Sequence, residues 1–439
     1  KEDYLLIYCQ RPQVGYQATY TMSGMFYEFL YFTQFLPGQN IHLPSVTIEW
    51  GRGLEDAHRR IAGLFRHYEE PAEWWYHTTW AHMEFPDFRE AVGPLEILAE
   101  AGLNGIWITG HSRPRGYYGT SPESYQPDAL LGGEKAYAKL MKRADELGFR
   151  KMVWFSGCGF LEGKDYKPSW GIRGVDGRHW VAWGNTYQEH IVGCNPLDPS
   201  WQDYTLKWIL RYIEDYGIDG IFLDCGAFCF PPDFGEKQYQ KYPSQSLVGY
   251  IDFLDRIHAE ARRRKKDFVM FLEGAHSDLS ANAFTIVADR PSYTGRSGLD
   301  FIESLRRYDL RICYWSGKAY DLASGMPFIN PTPLGITRGD RDKTMADIKE
   351  IANGKMNRFI CNLVREKGCR DAVRFGPNIS KLGDLLVCNP DFSGELSIPA
   401  KAGEGCVLKD LLNETSQSLH FDSSGRITFK KGEGVYELH

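Results

Sequence analysis

Three acidic residues each close an apolar stretch of the chain. Asp224, Glu273 and Asp289 end residues 220–224, 268–273 and 284–289, respectively. A loop that contains glycine or proline follows each stretch, and short apolar runs bounded in this way are typical of buried strands. A carboxylate at a strand end can act as a nucleophile or as a general acid or base. If the strands are parallel neighbours, we expect the three carboxylates to converge at one edge of a sheet.

Two such carboxylates are what the cleavage of a glycosidic bond requires. One attacks the anomeric carbon or activates water, and the other protonates the leaving oxygen. We assign Asp224 as the nucleophile and Glu273 as the acid/base, at the separation of about 5 Å that retention of configuration needs. Asp289 would then hold sugar hydroxyls or the neighbouring Arg290. In the alternative assignment Asp289 is the acid/base. In either case the nearby like charge would raise the pKa of the acid.

Further side chains near the predicted strand ends suit a carbohydrate pocket. Tryptophan offers a flat face on which a sugar ring can stack, and histidine and arginine donate hydrogen bonds to hydroxyls. The candidate substrate-binding residues are Trp80, His82, His111, Arg113, Trp154, His276, Arg290 and Trp315. The long segment of residues 157–193, which contains Trp170, Trp180 and Trp183, is expected to form part of a cleft wall or a lid.

The spacing of histidine and cysteine argues against metal chemistry. None of the 10 cysteines forms a CxxC pair or a Cys/His cluster with zinc-like spacing, and His77 and His82 do not form a His-x-His motif. We therefore expect no cofactor and no catalytic metal. A hydrolase that uses the same carboxylates with a divalent ion is an alternative. Cys225 and Cys229 are expected to be buried free thiols rather than a short disulfide bridge.

The net charge limits the classes of binding partner that we expect for this protein. A formal net charge of -6 over 439 residues provides no broad cationic surface. We therefore expect neither nucleic acid nor an anionic membrane as a partner, and a neutral oligosaccharide or glycoside as the substrate. No apolar run approaches the roughly 20 residues that span a bilayer. The first eight residues, KEDYLLIY, resemble the middle of a strand, so we expect N-terminal sequence to be missing. The compartment and the oligomeric state stay open.

Apolar runs and amphipathic stretches alternate in the middle of the chain, as in βα units around a parallel sheet. Strands are predicted at residues 75–80, 105–109, 151–155, 220–224, 268–273, 284–289, 310–315 and 357–362. Helical spacing separates most of them, at residues 88–101, 134–147, 201–216, 247–264, 299–308 and 344–352. Eight parallel strands with intervening helices close into a (β/α)8 TIM barrel, whose active site lies at the carboxyl ends of the strands. No glycine-rich phosphate-binding motif follows any of these strands, which argues against an open doubly wound sheet.

Short alternating strands flank the predicted barrel on both sides. Residues 1–70 are predicted to form part of an N-terminal β-sandwich and a linker helix, and residues 71–370 the catalytic barrel. Residues 371–439 are predicted to form a small C-terminal all-β domain, a second β-sandwich. The predicted fold class is therefore α/β, with a β-sandwich remnant, a (β/α)8 barrel and a β-sandwich in chain order.

Two segments resemble the region around the fourth strand of retaining α-glycoside hydrolases. They are Asn195-Pro-Leu-Asp-Pro-Ser-Trp-Gln-Asp-Tyr and, after a helix, Tyr216-Gly-Ile-Asp-Gly-Ile-Phe-Leu-Asp224. The order β-sandwich, barrel, β-sandwich is similar too. Resemblance to the α-amylase superfamily implies Asp224 as the nucleophile and Glu273, on the fifth strand, as the acid/base. Resemblance to the α-galactosidase superfamily implies the same nucleophile, but the acid/base on the sixth strand is then Asp289.

Two positions bear on the choice of superfamily. One is typical of the α-galactosidase superfamily, and the other fits neither superfamily. In the α-galactosidase superfamily a cysteine often follows the nucleophile closely, as Cys225 does here. Phe222 stands where the amylase pattern carries arginine and the α-galactosidase pattern carries lysine. The resemblance therefore implies a retaining hydrolase of α-glycosidic bonds and leaves the family open. A barrel that binds carbohydrate without cleaving it is the alternative from another functional class.

Overall fold

The computed structural model describes most of the chain in separate stretches. They are residues 3–9, 16–21, 24–29, 31, 37–64, 70–85, 87–113, 123–157, 159–183, 191–224, 231–273, 286–289, 303, 306–308, 312–314, 321–329, 341–376, 379–388, 394–397, 405–420, 422–424, 426–429 and 434–438. Internal contacts divide the chain into two units. The first contains Lys1–Pro71, Thr109–Met141 and Met152–Ala288, and the second contains Ala72–Ile108, Lys142–Lys151 and Asp289–His439.

The described strands are β1 (Asp3–Cys9), β2 (Tyr16–Thr21), β3 (Gly24–Phe29), β4 (Val46–Arg52), β5 (Trp80–Glu84), β6 (Gly105–Thr109), β7 (Ser112–Arg113), β8 (Ser124–Pro127), β9 (Arg150–Ser156), β10 (Gly159–Leu161), β11 (Val181–Trp183), β12 (Ile191–Gly193), β13 (Gly220–Asp224), β14 (Val269–Glu273), β15 (Ile286–Asp289), β16 (Ile312–Tyr314), β17 (Phe328–Ile329), β18 (Val373–Gly376), β19 (Ile379–Leu382), β20 (Leu385–Cys388), β21 (Gly394–Ser397), β22 (Gly405–Asp410), β23 (Thr415–His420), β24 (Arg426–Phe429) and β25 (Gly434–Leu438). The described α-helices are α1 (Leu54–Leu64), α2 (Glu73–Tyr76), α3 (Val92–Glu100), α4 (Gly133–Glu146), α5 (Pro199–Tyr216), α6 (Tyr250–Arg264), α7 (Arg341–Asn353) and α8 (Lys355–Lys367). No helix in these stretches is long and apolar enough to cross a membrane.

A parallel sheet forms the centre of the first unit. Its strands are hydrogen-bonded in the order β9, β13, β14, β15. Gly220 pairs with Met152 on one side and with Val269 on the other, and every residue of β13 is buried. Strands that are covered on both faces need continuous apolar sequences. The apolar runs that predicted β13 and β14 have this pattern, and the structure confirms both as strands.

Helix α5 leads into β13, and its two ends follow from its sequence. The Asp198 carboxylate accepts hydrogen bonds from the backbone N–H groups of Ser200 and Trp201 at 2.8 and 3.1 Å, which caps the first turn. Gly217, with φ of 63°, adopts the left-handed conformation that ends a helix and suits glycine. Buried side chains recur every three or four residues along α5, so one face of the helix is enclosed by the first unit.

The chain between β9 and α5 forms a small antiparallel sheet in the order β10, β12, β11. We call residues 159–195 the insertion. Trp170 is completely buried in it. A Cβ atom at Gly193 would lie 2.1 Å from Cε3 of Trp180, so only glycine lets this indole pack against the backbone of β12. The cleft-wall or lid role predicted for this segment stays a prediction.

Antiparallel pairs precede the first helix: β1 with β4, and β2 with β3. In the second unit, β6, β5 and β17 are neighbours, and β17 runs parallel to β5. The second unit also contains an antiparallel sheet in the order β18, β19, β20, β25, β22, β23 and the pair β21 and β24. The short strands predicted after residue 370 are thus confirmed. Their grouping into flanking β-sandwich domains, and the domain boundaries, stay predictions.

The first predicted strand of the barrel is wrong over most of its length. Trp75 and Tyr76 belong to α2, and β5 begins only at Trp80. Trp75 is completely buried, and its Nε1 donates a hydrogen bond of 3.1 Å to the carbonyl of Gly325. A short apolar run has no periodicity that separates a buried helical turn from a strand, so the sequence predicted the strand too early.

The eighth predicted strand is wrong as well. Residues 357–362 lie within α8, whose buried side chains include Met356, Ile360 and Val364, four residues apart. That spacing is the helical period, which a window of six residues was too short to show. The strand that pairs with β5 is β17, where Phe328 is the register partner of Trp80.

Candidate active site

Asp224 is the last residue of β13 and lies at the carboxyl end of the parallel sheet. Only 8% of its surface is exposed. The indole Nε1 of Trp154 donates a hydrogen bond of 3.0 Å to Asp224 Oδ2. The sheet sets this contact, because Trp154 is the register partner of Phe222, two positions before Asp224. A buried carboxylate that accepts an N–H donor has part of its charge compensated and its orientation restrained.

Strands β9 and β13 end together. Ser156 is the register partner of Asp224, and the N–H of Gly157 donates to the carbonyl of Asp224 at 2.7 Å. The Ser156 hydroxyl donates to the carbonyl of Gly159 at 2.8 Å and accepts from its N–H at 3.1 Å. These hydrogen bonds form a turn at the end of β9. The insertion therefore begins beside the strand end that carries Asp224.

Glu273 ends β14, the neighbour of β13. Leu223 pairs with Leu272, so Asp224 and Glu273 each follow the last residue pair between β13 and β14. Adjacent strands lie about 4.8 Å apart, so the two strands place these residues side by side along the edge of the sheet. The side chain of Glu273 lies outside the described part of the structure.

Asp289 ends β15, on the other side of β14. Glu273 pairs with Ala288, so Asp289 is one residue farther along its strand. The description of the structure includes the backbone of Asp289 and Arg113 but not their side chains. The other predicted residues that fall outside the described stretches are His276, Arg290 and Trp315, together with Cys225 and Cys229.

The chain after β13 lines a cavity of about 520 Å³. We call residues 231–243 the β13 loop. The lining residues are Asp233, Phe234, Gly235, Glu236, Lys237, Gln238, Gln240, Lys241, Tyr242 and Pro243. Tyr242 packs edge-on against Tyr31, with ring centroids 4.9 Å apart. The cavity is of the size that small-molecule pockets have, and its lining offers amide, ammonium and phenol donors.

Asp233 is not among the site residues that the sequence predicted. This residue is completely buried, and its carboxylate accepts a hydrogen bond of 2.9 Å from the N–H of Gly235, two residues on. The sequence Pro231-Pro-Asp-Phe-Gly235 carries the signal of such a turn. It carries no signal of the long-range partners of Asp233, which come from the insertion.

His111 follows β6 and is completely buried. Its ring stacks on Tyr137 of α4, with centroids 5.8 Å apart, and meets Tyr212 of α5 at 5.4 Å and Phe155 of β9 at 6.4 Å. Neither ring nitrogen has a hydrogen-bond partner among the described residues. Burial lowers the pKa of His111 to about 3, so the ring is neutral at ordinary pH.

Trp80 and His82 lie on β5 in the second unit, and both are completely buried. Trp80 packs against Trp75, with ring centroids 5.1 Å apart, and His82 packs against Trp107 at 5.0 Å. Of the predicted substrate-binding residues in the first unit, Trp154 is the one that the described contacts bring to Asp224.

No group of three or more His, Cys, Asp or Glu side chains that could hold a metal ion occurs in the described stretches. The six cysteines with described thiols, at positions 9, 194, 313, 361, 369 and 388, are buried. The described residues at the end of β13 thus supply a buried carboxylate and an indole donor, and the β13 loop lines a polar cavity.

No family model and no curated protein sequence matches this chain. Solved structures do. A cycloalternan-degrading enzyme from Trueperella pyogenes has a TM-score of 0.61 and 12% identity, over 100% of this chain and 69% of that one. A GH31 family sulfoquinovosidase from E. rectale has a TM-score of 0.60 and 13% identity, over 99% of this chain and 71% of that one.

An α-amylase from Geobacillus thermoleovorans is also similar, with a TM-score of 0.57 and 15% identity, over 83% of this chain and 99% of that one. The chain therefore shares the fold of α-amylases and GH31 glycoside hydrolases, which are (β/α)8 barrel enzymes. This agrees with the barrel that the sequence predicted.

Proposed function

We propose that this chain is a glycoside hydrolase that cleaves α-glycosidic bonds with retention of configuration, through a glycosyl-Asp224 intermediate. The observation that carries the proposal is the buried Asp224 carboxylate at the carboxyl end of the parallel sheet, oriented by Trp154 Nε1 at 3.0 Å. Active sites of barrel enzymes lie at this end of the strands. The shared fold with known glycoside hydrolases supports the same class.

In the proposed reaction the Asp224 carboxylate attacks the anomeric carbon and forms an ester. The bond to the leaving oxygen breaks, and Glu273 gives its proton to that oxygen. Water then attacks the ester carbon, Glu273 takes the proton from the water, and Asp224 is released as the carboxylate. Atoms and charge balance over the two steps. The hydrogen bond from Trp154 would hold Asp224 in the attacking orientation.

The register of the sheet favours Glu273 over Asp289 as the acid/base. Positions of equal parity on parallel strands share a face of the sheet. Asp224 and Glu273 both stand one position past the Leu223–Leu272 pair. Asp289 stands one position past Ala288, the partner of Glu273, and so has the opposite parity. Asp289 remains the rival, and the other proposed sugar-binding residues remain Trp80, His82, His111, Arg113, Trp154, His276, Arg290 and Trp315.

A panel of nitrophenyl α-glycosides and disaccharides tests the proposal. Proton NMR of the first product should show the α-anomer. Asp224→Asn should lower kcat by at least about 10⁴-fold, which is the loss that removal of a catalytic nucleophile typically causes. Asp219→Asn is the matched control, because Asp219 is also buried but lies at the amino end of β13, where it pairs with Lys265 at 2.9 Å. Sugar binding without turnover, or full activity of Asp224→Asn, would refute the proposal.

The choice of acid/base has its own test. Glu273→Gln should abolish the cleavage of disaccharides and largely retain kcat/KM for nitrophenyl glycosides, because nitrophenol leaves without protonation. Their kcat should fall, because Glu273 also activates the water that hydrolyses the ester. Asp289→Asn should slow both substrates alike. The reverse pattern would assign Asp289 as the acid/base.

A further inference from the structure

The Asp233 carboxylate is completely buried and is surrounded by donors. Its Oδ1 accepts from the N–H of Arg173 at 3.0 Å and from the N–H of Gly235 at 2.9 Å. Its Oδ2 accepts from Nδ2 of Asn195 at 2.7 Å, and the Lys237 ammonium lies 3.9 Å away. Burial of a carboxylate is costly unless it is fully paired, so this arrangement binds its partners tightly.

These donors come from two parts of the chain that meet at Asp233. Arg173 and Asn195 belong to the insertion, 60 and 38 residues away in sequence, whereas Gly235 and Lys237 belong to the β13 loop. Each carboxylate oxygen has one partner from the insertion and one from the β13 loop, so the carboxylate holds both parts in one arrangement. Removing one acceptor would leave a buried donor unpaired.

Further contacts join the same two parts. The N–H of Phe234 donates to the carbonyl of Arg173 at 2.9 Å. The Lys237 ammonium donates to the carbonyl of Gly171 at 3.3 Å and also to that of Ser169. Asn195 Nδ2 also donates to Oε1 of Gln240 at 2.8 Å. The β13 loop is thereby fastened to the insertion over most of its length.

The fastened loop is the wall of the cavity described above. It follows the carboxyl end of β13, and the insertion begins at the end of β9, whose last residue pairs with Asp224. In a barrel enzyme both segments belong to the face where substrate enters. The reacting sugar would lie at Asp224 itself, so the cavity along the loop is suited to the part of the substrate beyond the reacting bond.

We infer that Asp233 is a positioning residue that sets the shape of the subsite for the leaving group, a neutral sugar. The inference rests on the proposed glycoside hydrolase function. Asp233 touches no reacting atom. It acts by holding the β13 loop against the insertion, so that Gln238, Lys241 and Tyr242 keep their places in the cavity wall.

Asp233→Asn tests the inference, since the amide has the size of the carboxylate but only one acceptor oxygen. Two substrates with the same reacting sugar separate the subsites: α-glucosyl fluoride with isomaltose, or α-galactosyl fluoride with melibiose if the panel selects galactosides. The fluoride leaving group is a single atom and is too small to extend into the cavity. We expect kcat/KM for the disaccharide to fall about tenfold, mainly through KM, as one unpaired buried donor would cause. For the fluoride, kcat/KM should stay within about twofold.

Hydrogen exchange by mass spectrometry supplies a readout that does not need activity. In Asp233→Asn, residues 169–180 and residues 231–243 should both exchange faster, because the N–H groups of Arg173 and Gly235 lose their shared acceptor. Asp219→Asn is the control and should leave both segments protected. If Asp233→Asn does not fold, Gln240→Met removes the bonds of Gln240 to Asn195 and to the carbonyl of Asp233, and should give the same changes at smaller size.

The outcomes separate this inference from the proposed function. Equal losses for the fluoride and the disaccharide, or exchange as in the control, would overturn the positioning role while the glycosidase activity of the wild type stands. If the wild-type protein cleaves no fluoride and no glycoside, the proposed function fails. The leaving-group subsite then fails with it, and exchange decides only whether Asp233 holds the β13 loop to the insertion: faster exchange in both segments supports that contact, and unchanged exchange overturns it.

Discussion

The hydrogen bond between Trp154 and Asp224 gives the sharpest prediction about how the site is built. Trp154→Phe removes the Nε1 donor that lies 3.0 Å from Asp224 Oδ2 and keeps an aromatic ring in β9. A hydrogen bond to a charged group contributes about 1.5–3 kcal/mol, and one between neutral groups about 0.5–1.5 kcal/mol. Trp154→Phe should therefore cost about 1–1.5 kcal/mol more in the wild type than in an Asp224→Asn background. The loss of indole packing is common to both backgrounds and cancels.

The assay is a double-mutant cycle of urea unfolding at neutral pH, followed by far-UV circular dichroism so that the lost indole does not change the signal. Kinetics of the single Trp154→Phe variant add a second readout. A nucleophile that moves by about 1 Å loses about 10²-fold in rate, so kcat should fall between tenfold and a hundredfold with little change in KM. A coupling energy below about 0.3 kcal/mol, together with unchanged kcat, would refute the positioning of Asp224 by Trp154.

Two further predictions concern the stability of the first unit. Burial holds the pKa of His111 at about 3, below its value in the unfolded chain, so the unfolded state binds the proton first as the pH falls. Between about pH 7 and pH 5 this should remove about 2 kcal/mol of unfolding free energy, which His111→Phe should abolish; equal pH dependence in both proteins would contradict the burial of a neutral ring. Asp198→Ala should destabilise by about 1–2 kcal/mol through loss of the α5 cap, whereas the exposed Asp203→Ala on the same helix should cost under about 1 kcal/mol. Thermal unfolding monitored by circular dichroism compares the two variants, and equal melting temperatures would show that the cap is not needed.

The sequence predicted the central strands well because local composition determines them. The strands β6, β9, β13 and β14 each correspond to a short, continuous apolar run, and an acidic residue ends the runs at β13 and β14. The stretch around Trp75 failed because a single buried helical turn of aromatic residues looks like a strand. Residues 357–362 failed because the helical period shows only over the full length of α8.

Long-range contacts determine the parts of the site that the sequence did not reveal. Trp154 was predicted as a sugar-binding residue, but its hydrogen bond to Asp224, which the register of β9 against β13 brings about, was not foreseen. The register depends on the whole sheet and cannot be read from either strand alone. Asp233 was missed because its sequence neighbours indicate only a turn. Its partners Arg173 and Asn195 reach it through the folding of the insertion.

The identity of the nucleophile is the central claim, and trapping the covalent intermediate tests it most directly. An activated α-glycosyl fluoride that forms the ester rapidly and loses it slowly should inactivate the wild-type protein and label it once. Peptide mapping by mass spectrometry should place the sugar on Asp224, and Asp224→Asn should remain unlabelled. A label on Glu273, on Asp289 or on any other residue, or inactivation without a label and with inverted product, would contradict the account.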